Sequence, residues 1–324
     1  MNKINSVSEY VERIVEKTIS TTEPTDTEIF WFRGEGSTKF KTPLVPNIYR
    51  NIIESSGKAG NPNYTSNKIR TIERNISSEF KRRSQRYISL KGIDNTLWNR
   101  YFLMQHYGIN TRLLDWTENA LLALFFAIHD NSFEKDDSII WILNPFRLND
   151  YTIKKIGNTP PIINNSYKII PQGISNDTKT ELFSQVGLLR LKELTRRYLI
   201  MDFNELDQEE NDKDCYYPLA INPTFLDERM TSQKTCFTIF GNQLNGLKLI
   251  ENKKEILDSI IINKTQKKRI LKELKILGID HESIYPDLDG IGRSIQKDFE
   301  TNLKDPSESV IYFLKTLPDT TNDK

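Results

Sequence analysis

The chain has 324 residues, 37% hydrophobic and 10% aromatic, enough for one large domain or two modest ones with a substantial core. Its 45 basic and 44 acidic residues leave a net charge of +1, so no global field draws it to nucleic acid or to a membrane surface. Two cysteines make no disulfide framework, the three histidines stand far apart without zinc-type spacing, and no apolar run is long enough to span a bilayer. The first residues lack the apolar core of a signal peptide, so a reducing, cytoplasmic setting is expected, with no metal.

Ser6 and Glu9 have capping-box spacing, and Val7, Tyr10, Val11, Ile14 and Val15 recur at helical intervals, which predicts an amphipathic helix. A polar loop at Ser20–Thr27 follows. Glu28–Arg33 is short, apolar and aromatic, the composition of a buried strand, and it delivers Arg33, Gly34 and Glu35 at its end. Pro43 and Pro46 mark an extended loop, and Glu54–Thr65 is rich in Gly, Asn and Ser. Ile69, Ile72, Ile76 and Phe80 trace a long helix ending near Tyr87, and Trp98 and Phe102 a second one.

Gln105–Asp130 is polar in its first half and apolar in its second. Gly108 and Asn110 place Thr111, Arg112 and Asp115 on a turn. Asp115 and Glu118 have the spacing of a helix start, followed by the unbroken apolar run Ala120–Ile128, a helix destined for the core. Polar groups at the mouth of such a helix suit a phosphate or carboxylate, although a capped core helix with Arg112 paired to Asp115 accounts for the same residues.

Ser138–Leu143 and Thr235–Phe240 are expected strands, Asn144-Pro145 a stop, Ile156–Asp177 irregular, Glu205–Asp214 an acidic exposed loop and Pro218–Pro223 extended. Cys236 sits in an alternating apolar run and is expected to be a buried hydrophobe. Glu251–Leu277 is expected to be helical, with Gly278 closing it. Helices and strands mix without a βαβ rhythm, which predicts an α+β fold: a small mixed or antiparallel sheet, a buried core helix and surrounding helices. The expected organisation is a helix over residues 1–27 packed on a single domain at 28–317, helical over 251–300, and a disordered tail at 318–324.

Phe32-Arg33-Gly34 resembles the signature of the FRG domain family. The Pro43–Arg50 loop, the Glu73–Phe80 helix, Gln105-His106-Tyr107-Gly108, Thr111–Thr117, the Pro223, Arg229, Gln233 and Phe237 pattern, and Tyr285–Gly290 are similar to its other motifs, in order. Lys234 departs from them, since the family tends to have a glycine after the glutamine. The resemblance implies a bacterial or phage-related effector of defence or toxin type. Fold membership alone does not define a reaction.

An aromatic-Arg-Gly strand, then a Thr-bearing turn ahead of an Ala/Phe-rich helix, then a Gln/Glu-bearing segment before a strand also resembles the order of parts in ADP-ribosyltransferases. That resemblance implies NAD as the ligand, Arg33 holding its diphosphate or ribose, Thr111 supporting the nicotinamide pocket and Gln233 standing where a glutamate stabilises the cationic transition state. Glutamine has no negative charge to give, and Glu228, Asp115 or Glu35 are alternative carboxylates. Arg33, Thr111, Asp115 and Gln233 are therefore the candidate catalytic residues, with Arg33, Gly34, Arg112, Arg229 and His106 as candidate ligand contacts. A non-catalytic module binding a nucleotide or nucleic acid, and a phosphodiester-cleaving toxin using His106 as acid or base, fit the same residues.

Overall fold

The computed structural model describes residues 3–19, 29–50, 62–156, 198–199, 217–241, 243–250 and 252–303. The loop at 20–27, most of the Gly/Asn/Ser-rich stretch, the proline-containing segment beyond 156, Glu205–Asp214, Cys215 and the tail lie outside them.

Six strands form one antiparallel sheet: β1 Trp31–Glu35, β2 Leu113–Thr117, β3 Ser138–Leu143, β4 Leu219–Ile221, β5 Thr235–Ile239 and β6 Leu257–Ile262, in the order β4-β5-β2-β1-β3-β6. The helices are α1 Val7–Thr18, α2 Pro62–Leu90, α3 Leu97–His106, α4 Ala120–Ile128, α5 Pro145–Ile156, α6 Glu228–Ser232, α7 Lys267–Ile276, α8 His281–Ile284 and α9 Leu288–Leu303. The α+β class follows directly. None of the described helices is long and apolar enough to cross a membrane.

Two core layers sandwich the sheet. Alternation along a strand sends neighbouring side chains to opposite faces. Trp31, Trp116, Trp141, Leu143 and Cys236 face a layer built from Leu44, Val45, Tyr49, Leu148 and Leu244–Ile250. Cys236 is thus buried as expected, and burial pushes its thiol well above the ordinary range. Phe32, Ile140, Ile142, Ile260 and Ile262 face α4, α1 and α7, while Leu113, Phe237 and Ile239 pack on Phe102 and Met104 of α3.

The core helix α4 spans the apolar run found in the sequence, with Leu122, Ala123, Leu124, Phe125, Ala127 and Ile128 buried. It lies hard against β1 at Gly34. A Cβ there would stand 2.1 Å from the Ala123 carbonyl oxygen and 2.5 Å from the Ala127 nitrogen. Glycine at this point lets helix and strand backbones touch, so the space expected to admit a ligand beside Gly34 is filled by α4.

Two elements differ from expectation. Asp115 is not a helix cap: residues 113–117 are a central strand, and α4 is capped by Asn119, whose side chain accepts from Leu121 and Leu122 N–H at 3.0 and 3.4 Å. The Thr111–Asp115 turn is therefore corrected to a strand entry. The helix expected from Glu251 is a strand, β6, followed by α7, which ends at Gly278 with φ +78° as a left-handed closure. The Ser6 cap of α1 holds, its hydroxyl accepting from Glu9 N–H at 3.2 Å. Tyr10 of α1 reaches the Ala120 carbonyl at 2.9 Å, pinning α1 to the start of α4.

Candidate functional site

Arg33 sits in β1 opposite Trp141 of β3, which fixes the face it occupies. Its Nε donates to Glu35 Oε1 at 3.3 Å and its Nη1 to the backbone carbonyl of Asp115 at 2.8 Å. Glu35 is 5% exposed and is a hub: it also accepts from Leu44 N–H at 3.2 Å and Trp141 Nε1 at 3.0 Å, with Arg50 Nη2 4.0 Å away. A buried carboxylate needs these donors and charges to offset its lost hydration.

Arg112 is 3% exposed. Its Nε donates to Glu73 Oε2 at 2.6 Å, Nη1 to the Phe240 carbonyl at 3.0 Å and Nη2 to the Tyr198 carbonyl at 2.5 Å. Its backbone N–H meets Glu73 Oε1 and the Tyr101 hydroxyl, and that hydroxyl itself donates to Glu73. Burial alone would lower the Arg112 pKa, but Glu73, Tyr101 and Tyr49 outweigh it and raise it. The expected ligand contact at Arg112 is corrected: its guanidinium is spent inside the core, with no face toward solvent, and its partner is Glu73 rather than Asp115.

The other candidates gather on the opposite face of the sheet. Thr117 pairs with Phe32, so Asp115, two residues earlier, shares the face of Phe32 and not that of Arg33. Gln105 links two of them: its Oε1 accepts from the fully buried Thr111 at 2.6 Å, and its Nε2 donates to both oxygens of the exposed Asp115 at 3.1 and 2.9 Å. His106 Nε2 lies 2.7 Å from Asp227 Oδ2, and the other Asp227 oxygen caps α6 by accepting from Met230 N–H at 2.8 Å. Burial holds the His106 pKa below its usual value, Arg229 and Lys91 push the same way, and Asp227 and Asp115 oppose them. Arg229 stacks on Tyr285, its Cζ 4.7 Å from the ring centre, and its Nε is buried without a hydrogen-bond partner among the described residues. These two side chains border a niche of about 40 Å³ with Asp287, Asp289, Gly290 and Arg293, room for about one water. Gln233 closes α6; its side chain reaches the Ile284 carbonyl at 3.4 Å, and its own carbonyl accepts from Thr117 Oγ1 at 2.6 Å.

The sheet therefore divides the candidates. Thr111, Asp115, His106, Arg229 and Gln233 lie on the side of α3 and α4, and among the described contacts Arg33 meets them through the Asp115 backbone. A larger open cavity of about 330 Å³ sits where β1 begins and β2 ends, lined by Thr18, Ile29, Phe30, Phe32, Glu118 and Lys234. Glu118 N–H donates to the Lys234 carbonyl at 3.1 Å, one rung beyond the Thr117–Thr235 pair. Lys234 adopts φ +44°, in the left-handed region.

Residues 28–136 match the family model of the FRG domain. That stretch is similar to an FRG domain, and the match covers 109 of the 324 residues. Neither a curated protein nor a solved structure matches it. The matched FRG stretch holds Arg33, Glu35, Glu73, His106, Arg112, Asp115 and Glu118, while Asp227, Arg229, Gln233 and Lys234 come from the chain beyond it. Both the His106 cluster and the cavity are thus completed from outside the matched stretch.

Sequence reasoning missed Glu118, Lys234 and Asp227. Glu118 read as the partner of a helix cap. Lys234 carried a usable signal: it is the point where the sequence departs from the glycine that the resemblance implies, and the observed positive φ is the conformation glycine adopts without strain. Nothing local marks Asp227 as the partner of His106, because α3 and α6 are far apart in the chain.

Proposed function

We propose that this FRG domain protein is a nucleotide-handling effector of defence or toxin type that takes NAD and acts as an ADP-ribosyltransferase-like or NAD-cleaving enzyme. One observation carries the reading. The arginine strand β1, the strand β2 that follows Thr111 and the strand β5 that follows Gln233 are neighbours, and the end of the sheet where β1 and β5 begin and β2 ends bounds the larger cavity, with Arg33, Thr111 and Gln233 outside its lining. Its volume of about 330 Å³ falls at the lower end of ligand pockets, suited to the nicotinamide half with the rest along the open side. The half-buried Phe30, with the core residue Phe32 behind it, offers apolar surface for a flat ring, and the exposed Lys234 offers a cation to a diphosphate. In this reading Arg33 is a positioning residue that ties β1 to β2.

The test is direct titration of the full chain with NAD, followed by nicotinamide release. Saturable binding, weakened at least tenfold by Lys234→Ala, together with release above the uncatalysed rate supports the proposal. Binding without release moves the assignment to a non-catalytic nucleotide module, and absence of binding defeats the cavity as the site.

A second reading rests on the His106–Asp227 pair. A largely neutral imidazole oriented by a carboxylate, with Arg229 beside it, is the constellation of a general base for phosphodiester cleavage. Cleavage of RNA that is abolished in His106→Gln, with NAD untouched, would favour it.

A further inference from the structure

In the ADP-ribosyltransferase reading the place of the glutamate falls to Gln233, which fails on two counts. Its amide carries no charge, and its side chain turns to the Ile284 carbonyl of α8 rather than lining the cavity. Another carboxylate does line it. Glu118 is exposed, leaves β2 directly after Thr117, and is held by its backbone beside Lys234, the residue that follows Gln233. The frame around it is rigid. Thr117 Oγ1 bonds the Gln233 carbonyl at 2.6 Å and accepts from Asn119 N–H at 3.0 Å, and Asn119 caps the core helix. The Glu118 side chain shares the cavity lining with Phe30 and Phe32, where its charge can act on a bound ligand.

Resting on the NAD reading, we infer that Glu118 is the catalytic carboxylate, standing in for the residue that Gln233 cannot replace. Its negative charge would stabilise the positive charge that develops at the ribose anomeric carbon as the bond to the nicotinamide nitrogen breaks. Nicotinamide leaves with the bonding electron pair and becomes neutral. The oxygen of water, or of an acceptor hydroxyl, forms the new bond to the anomeric carbon, and its proton passes to solvent.

The experiment uses the full chain with NAD as probe and measures affinity, nicotinamide release and melting for wild type, Glu118→Gln, Glu118→Ala and, as a control at an exposed carboxylate ahead of α3, Asp94→Asn. Glu118→Gln is expected to lower kcat at least a hundredfold, with affinity within threefold and melting unchanged. Added formate should restore part of the turnover of Glu118→Ala, which a structural role would not allow. Asp94→Asn should retain wild-type turnover. Wild-type turnover in Glu118→Gln overturns the inference while leaving the NAD reading intact. A wild type that binds NAD without turning it over overturns the inference and retains binding alone, and one that does not bind overturns both.

Discussion

Arg33 donates to the backbone carbonyl of Asp115 at 2.8 Å, while the Asp115 carboxylate lies on the other face of the sheet and receives both its bonds from Gln105. The central strand pair is therefore gripped from both sides, by an arginine that also neutralises the buried Glu35. Arg33→Ala would leave Glu35, 5% exposed, with Arg50 at 4.0 Å as its remaining cation among the described contacts. The Arg33 side chain is 17% exposed, which moderates the loss, so destabilisation of about 2–3 kcal/mol is expected. Urea unfolding of Arg33→Ala, Glu35→Ala and the double variant checks this. The double variant should be less destabilised than the sum of the singles. Unchanged unfolding in Arg33→Ala would return Arg33 to the role of a ligand contact.

Lys234 makes a sharper case, because one substitution moves stability and binding in opposite directions. A lysine at φ +44° bears a left-handed strain of about 1–2 kcal/mol, part of which glycine gives back through its greater freedom in the unfolded chain. Lys234→Gly is expected to stabilise the fold by about 0.5 kcal/mol. The same change removes the cation from the cavity and should weaken NAD binding at least tenfold. A less stable Lys234→Gly protein would show that the lysine side chain supports the turn itself.

How far the fold can be read from the sequence follows from how evenly each strand is buried. The strands β3 and β5 and the helix α4 are apolar over most of their length, and β1 opens on Trp31 and Phe32 of an aromatic run, so these stretches stand out. In β2 the exposed Asp115 interrupts buried leucines and a tryptophan, and with Glu118 it imitates a capping box, so a central strand reads as a helix start. In β6 the sequence LDSIII runs through a short turn into α7, and Ile256, Ile260 and Ile270 fit a helical period as well as an alternating one. The candidate site suffered from the same gap. Which face each residue occupies depends on strand register, and with β2 taken for a turn, nothing placed Arg33 and Gln233 on opposite sides of the sheet.

His106 predicts a pH dependence whose sign follows from its depressed pKa. Burial is the largest cause, and Asp227 offsets it only in part. In the folded protein the imidazole stays neutral at a pH where the unfolded chain, with its pKa near 6.5, already binds a proton. The unfolded state therefore holds more protons across that window, and stability rises with pH through it. The contribution is fully present above about pH 6.5 and is lost as pH falls through the folded-state value. Urea midpoints at pH 5 and pH 7.5 should differ for the wild type, and the difference should shrink in His106→Gln, which keeps a hydrogen-bonding group beside Asp227 without the titration. Equal pH dependence in the two proteins would place the responsible groups elsewhere. A smaller difference for wild type than for His106→Gln would mean that the Asp227 charge dominates and that the imidazole is protonated in the fold, which would also remove it as a general base at neutral pH.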